Sequence, residues 1–319
     1  MVGINWNIKL MNLSPFRAGT SVREREVVRM YDYVATMRKL YTQTNGQKGA
    51  FVVATNASFG IDNAWGEDFP IWCSIYDSLG KLGILNTVAT SNLSKNIDLS
   101  GDMPATCGSD FVIAVTETDR YDVLNASYGA RNVDISAPAD VYTTIPNNRY
   151  YYIGGTSAAS PHVAGAIGLL MSYPAPLWAQ AYQNAPSETA LWLKNMLLQT
   201  AERKQNLKNK SVSGGRLQIG QAMQRLAEVY SVPEKTKILK IFPNPAQNQL
   251  QIQLALSEAG NFGIEIINPL GQIVDIQHIK TDFPTQNIWN LDISKLKKGW
   301  YVLRLSGEKE SQNLVFVKI

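Results

Sequence analysis

Histidine is nearly absent: the 319 residues contain two, His162 and His278. Chemistry that rests on an imidazole base therefore has two candidates at most. Cysteine is as scarce. Cys73 and Cys107 are too few for a disulfide-dense scaffold or a cysteine-ligated zinc site. No uninterrupted apolar run approaches the roughly 18 residues of a membrane-spanning helix. The opening MVGINWNIKL lacks a charged start followed by an apolar stretch, so no signal peptide is visible. Charge of one sign is not in excess, with 30 Lys and Arg against 26 Asp and Glu. Residues 234–319 carry ten basic and eight acidic side chains, and residues 1–233 carry twenty and eighteen. Neither part is a basic domain suited to nucleic acid.

What is present is a core-forming composition, 45% hydrophobic and 18% charged, in a chain long enough for two domains. Residues 1–230 alternate short apolar runs with helical patterns. The runs at 8–13, 51–55, 84–89, 111–115 and 133–137 read as buried strands. Residues 22–41 place Val27, Met30, Tyr31, Val34 and Leu40 near one helical face, and 71–82 and 187–202 behave similarly. This alternation predicts an α/β fold, a parallel sheet with helices on its faces. The texture changes across a linker at 231–237. In 238–319 the pattern has period two, through Leu250, Ile252 and Leu254 and then Phe262, Ile264 and Ile266. Asn268-Pro269-Leu270-Gly271 is a turn signal, and further strands fit 273–279, 300–305 and 314–319. About seven short strands predict a small all-β sandwich.

Residues 154–165 read Gly-Gly-Thr-Ser-Ala-Ala-Ser-Pro-His-Val-Ala-Gly, followed by an apolar helix. Small residues around Ser157 can leave its hydroxyl at a helix N-terminus, where free N–H groups and the helix dipole face any bound group. Pro161 fits if it lies within about the first turn, where its missing N–H is not needed. By itself this is a nucleophile, an anion site or a tight packing turn.

The stretch GTSAASPHVAG resembles the nucleophile motif of the subtilases, the subtilisin-like serine peptidases. Other segments agree in order. Residues 52–60 resemble the strand that ends in a substrate-pairing Ser-x-Gly. Residues 83–92 resemble the strand that ends at the oxyanion-hole Asn. Residues 128–138 and 214–223 resemble later family segments, with Ala139 where Gly is usual. The resemblance covers about residues 1–230 and implies a subtilisin-like three-layer domain. It implies Ser157 as nucleophile and Asn92 as oxyanion donor together with the Ser157 N–H. It also implies that Ser58, Phe59 and Gly60 hold substrate as an added strand, and that Ala89, Thr90 and Ser91 line the specificity pocket, apolar or mixed.

A serine nucleophile needs a base. In the family an Asp and then a His precede the Ser, and neither preceding motif is present. Gly3-Ile4-Asn5-Trp6-Asn7-Ile8-Lys9-Leu10-Met11 resembles the segment just after the His helix, so Met1 reads as an internal start and the domain as N-terminally incomplete. The missing Asp-bearing strand would lie between the runs at 8–13 and 51–55, leaving two strands without a neighbour. His162, five residues after Ser157, lies about 140° around the helix axis and is structural in the family. His278 falls in the β module. Calcium sites are common in the family, but no acidic cluster here names one, and no other cofactor or metal ligand is assigned.

Residues 241–246 (IFPNPA), 291–303 and the closing VFVKI resemble the C-terminal sorting domain of the type IX secretion system of Bacteroidota. That implies export across the outer membrane and a secreted or cell-surface location. In an exported protein a Cys73–Cys107 disulfide is expected. The resemblances together imply a secreted serine endopeptidase acting on polypeptides, with the secretion machinery as partner, no nucleic acid and no membrane span. Without Asp and His this chain is expected to be inactive. The alternative is a non-catalytic exported protein that uses the groove to bind peptides.

Overall fold

A computed structural model describes residues 3–14, 23–231, 235–281, 285–306 and 311–319. Met1, Val22 of the expected first helix and residues 232–234 of the expected linker lie outside them. The chain forms two compact units, one of residues 1–174 with 178–229, the other of 230–319 with 175–177.

In the first unit the elements run α1 (Glu24–Gln43), β1 (Ala54–Ala57), β2 (Ile61–Asp62), α2 (Pro70–Gly80), β3 (Leu85–Ala89), α3 (Ile97–Ser100), β4 (Asp102–Met103), β5 (Val112–Thr118), β6 (Ile135–Pro138), β7 (Val141–Ile145), β8 (Arg149–Ile153), α4 (Thr156–Met171), α5 (Pro176–Asn184), α6 (Pro186–Gln199), β9 (Glu202–Arg203), β10 (Gly215–Arg216) and α7 (Ile219–Tyr230). Six strands make one sheet in the order β1-β3-β5-β6-β10-β9. Every pairing from β1 to β10 is parallel, and β9 closes the edge antiparallel.

Strand alternation divides the core. Ala57, Ile84, Val88, Val112 and Ala114 join the cluster built with Val27, Tyr31 and Val34 of α1 and Trp72, Tyr76 and Leu79 of α2. Leu85, Ile113 and Val115 have the opposite parity and turn to the other face. α4 lies across β1, β3, β5 and β6 and buries Ala159, Val163, Ala166, Ile167 and Leu170. α1 buries Val27, Tyr31 and Val34 as its pattern predicts, but Arg38 takes the place expected of Leu40. The Arg38 guanidinium lies 4.2 Å from the Phe51 ring centroid and donates to Val52 O at 3.2 Å. A cation over an aromatic face tolerates that burial.

Two strand expectations fail in this unit. Residues 8–13 form no strand. β1, the sheet's outermost strand on that side, pairs only with β3 among the described residues, and an extended run without a ladder is not a strand. Instead Ile4 and Ile8 lie against Gly165 and Gly168 of α4, the two positions where a side chain on the helix would collide with them. The run at 51–55 becomes a strand only from Ala54 onward.

The second unit has β11 (Lys237–Phe242), β12 (Gln249–Leu256), β13 (Gly260–Ile267), β14 (Ile273–Thr281), β15 (Thr285–Asp292), β16 (Gly299–Ser306) and β17 (Ser311–Lys318). They form two antiparallel sheets, β11-β12-β15 and β14-β13-β16-β17. The period-two residues Leu250, Ile252, Leu254, Ile264, Ile266, Leu303, Leu305 and Phe316 make its core. At the predicted turn, Asn268 Oδ1 accepts from the N–H groups of Leu270 and Gln272, and Gly271 sits at φ 79°. The sequence pattern does not mark β15. It is half Asn, Gln and Asp, and owes its place to full-length pairing with β12.

Candidate active site

The helix carrying Ser157 starts from a glycine that no other residue can easily replace. Gly155, its N-cap, has φ 83°, and a Cβ there would stand 2.7 Å from Asn92 Oδ1. The turn is pinned from three sides. Gly155 N–H donates to Glu117 Oε2 at 3.1 Å. Thr156 N–H donates to Asn92 Oδ1 at 2.9 Å, and the Thr156 hydroxyl to the same oxygen at 3.1 Å and to Thr90 O. Burial raises the Glu117 carboxyl, and the Gly155 N–H partly offsets it.

Ser157 is the second residue of α4 and is exposed. Its hydroxyl reaches only Ser58 O, at 3.5 Å, among the described residues. In return the Ser58 hydroxyl donates to Ser157 O at 3.0 Å. This corrects the reading of Pro161, which lies in the second turn of the helix rather than the first. Its missing N–H would have served Ser157 O, and the Ser58 hydroxyl serves it instead. Asn56 extends this link, donating to Ser58 Oγ at 3.1 Å and accepting from Ser160 Oγ at 2.8 Å.

Two donors remain unclaimed beside Ser157. The Ser157 N–H has no partner among the described residues, as is usual in a helix's first turn. Asn92 Nδ2 has none either, because the bonds to Thr156 fix the carboxamide through its oxygen. The nucleophile candidate, an oriented amide and a free helix N–H are thereby brought together.

The expected pocket residues are placed less uniformly. Ala89 and Thr90 are buried, and the Thr90 hydroxyl has no hydrogen-bond partner among the described residues. Ser91 is half-buried. Phe59 packs on Trp72, ring centroids 6.1 Å apart. Sequence reasoning missed Asp102. It is 3% exposed, its Oδ2 accepts from Ser91 N–H at 2.7 Å, and burial pushes its carboxyl up to about 7. The only sequence sign is an acidic residue in the Gly-Asp-Met-Pro run, which belongs to none of the family-like segments.

The His162 ring Nδ1 is 2.8 Å from Ala158 O on its own helix. His278 lies on β14 of the other unit. Cys73 and Cys107 form a disulfide with Cα atoms 5.2 Å apart. Among the described residues no three His, Cys, Asp or Glu side chains gather as metal ligands, and no helix is long and apolar enough to cross a membrane.

Residues 1–216 match the subtilase family and residues 240–318 the secretion-system C-terminal sorting domain. A 64-residue stretch is 53% identical to the thermophilic serine proteinase of Bacillus sp. (strain AK1), covering 19% of this chain and 16% of that protein. An 88-residue stretch is 38% identical to subtilisin DY of Bacillus licheniformis, covering 27% of this chain and 32% of that one. The matched stretches thus span less than a third of either relative's length. The epidermin leader peptide processing serine protease of Staphylococcus aureus superposes with a TM-score of 0.51 at 18% identity, over 70% of this chain and 58% of that one, a likeness of fold alone.

Proposed function

From the premise that the chain belongs to the subtilase family, we propose that its first unit binds polypeptide and that Ser157 is the nucleophile of an acyl transfer. A substrate strand pairs along Ser58, Phe59 and Gly60. Ser157 Oγ adds to the scissile carbonyl, and the oxyanion sits between the Ser157 N–H and Asn92 Nδ2. Donors fixed before the reaction stabilise that charge without reorganising. The amine leaves carrying the proton lost by Ser157, and water hydrolyses the acyl-enzyme, returning a proton to Ser157 Oγ. The observation that carries this reading is the pair of unclaimed donors next to an exposed serine, one held in place by Thr156.

Among the described residues none is assigned the proton of Ser157. His162 is engaged with Ala158 O, and that favours a second reading, a groove that binds peptides without cleaving them. The sorting domain at 240–318 indicates a secreted or cell-surface protein, and the partner proposed for it is the type IX secretion machinery.

Two probes test these readings. A fluorophosphonate labels Ser157 slowly in the nucleophile reading, and Ser157→Ala abolishes the label; rapid labelling contradicts the absence of a base. A peptide aldehyde that adds to Ser157 binds at least about tenfold more weakly to Asn92→Ala, since one oxyanion donor supplies roughly 10²–10³ in rate, a magnitude that belongs to subtilisin itself. Equal binding of a peptide aldehyde and the matching amide, unaffected by Ser157→Ala, supports the binding reading instead.

A further inference from the structure

Asp102 is a buried carboxylate without a counter-ion. It is 3% exposed, and no Lys or Arg lies within ion-pair distance of it among the described residues. Its Oδ2 takes the Ser91 N–H, while Oδ1 takes no hydrogen bond from the described residues. The charged group that faces it is another carboxylate, Asp62, opposite it in the β2–β4 ribbon. Lys95 donates to Asn63 Oδ1 at 3.0 Å, the residue after Asp62 in sequence. Buried carboxylates are ordinarily paired or neutralised, and among the described residues this one has no cationic partner.

Its place suggests the partner. β2 follows Ser58-Phe59-Gly60 directly. Gly60 lies so close to β4 that a Cβ would come within 2.2 Å of Met103 O. On its other side Asp102 clamps Ser91, the residue before Asn92. The carboxylate therefore lies between the two stretches that flank Ser157, residues 58–60 and 89–92. The geometry points to Asp102 as a specificity determinant, selecting a Lys or Arg side chain in the slot beside the scissile bond. This replaces the apolar or mixed pocket expected from the sequence, and it rests on the peptide-groove reading above.

The test uses the full chain and four tetrapeptide aldehydes that differ only in the last residue, Arg, Lys, Leu or Phe, with binding measured calorimetrically at pH 6 and pH 8. The Arg and Lys peptides bind about tenfold or more tightly than Leu and Phe, as a charge-assisted contact supplies. The margin widens at pH 8, where the carboxyl is ionised. Asp102→Asn keeps an acceptor for Ser91 N–H and removes the charge, so it levels the four affinities. If that variant fails to fold, the pH dependence in the unaltered chain decides alone. Binding with no cationic preference, a preference insensitive to pH, or one that persists in Asp102→Asn overturns the assignment and leaves the groove reading standing. Binding of none of the four overturns both.

Discussion

Asp102 ionises against its surroundings, and that has a consequence for stability apart from any ligand. Unfolded, its carboxyl titrates near 3.8; folded, burial and Asp62 hold it near 7. Between those values the folded chain keeps a proton that the unfolded chain releases, so this group's contribution declines as pH rises across the window, by about 1.4 kcal/mol per pH unit. Asp134 and Glu117, also raised by burial, add slopes of the same sign. Asp102→Asn is expected to raise the melting temperature at pH 8 by several degrees and to change it little at pH 4, as thermal denaturation at the two values will show. An equal shift at both would mean that the carboxylate is not disfavoured by folding. At this scale Ser157, Asn92 and Ser58 were legible as candidates, because their neighbours in sequence carry a family pattern. Asp102 and Glu117 were not, since a single acidic residue in an apolar run carries no signal until the fold shows what surrounds it.

The elements that present the site are short, and several depend on links between them. β2 and β4 are two residues each, too short to persist without neighbours. The Cys73–Cys107 disulfide ties α2 to the chain just after β4 and closes a loop of 34 residues. By loop entropy such a closure is worth roughly 3–4 kcal/mol. Reduction, or replacement of both cysteines by serine, is expected to lower the melting temperature of the first unit by about 6–16 °C, taking 2–4 °C per kcal/mol for a unit of this size. A calorimetric scan with and without reductant measures it, and a shift below about 2 °C would show the crosslink to be redundant with packing. α1, α2, α6 and five of the second unit's strands were readable from periodicity, because each buries a patterned face. Residues 8–13 misled because an apolar run specifies burial without specifying a partner; here Ile8 is accommodated against Gly168 rather than in a ladder. β15 misled in the opposite way, its polar composition hiding a strand that β12 recruits.

As a whole molecule the chain joins an α/β unit to a β-sandwich, each with its own core. They match a peptidase family and a sorting domain separately. Residues 238–319 fused behind a reporter already delivered to the periplasm of a type IX-secreting bacterium are expected to carry it to the cell surface or medium. Deleting 311–319, which removes β17 from the four-stranded sheet, is expected to retain it inside. Fractionation with an antibody to the reporter distinguishes the outcomes, and export that survives the deletion would separate sorting from the folded sandwich. The sequence by itself determined the two fold classes and the scarcity of histidine, and it marked Ser157 and Asn92 as candidates. Those follow from composition, periodicity and motif, which are local along the chain. Only the tertiary structure decided that the Ser58 hydroxyl replaces the hydrogen bond lost at Pro161. It alone showed that Asn92 is fixed through its oxygen and that an unpaired carboxylate stands between the two stretches flanking Ser157. Each of these is a contact between segments about 10 to 100 residues apart, and it exists only once the sheet has brought them together.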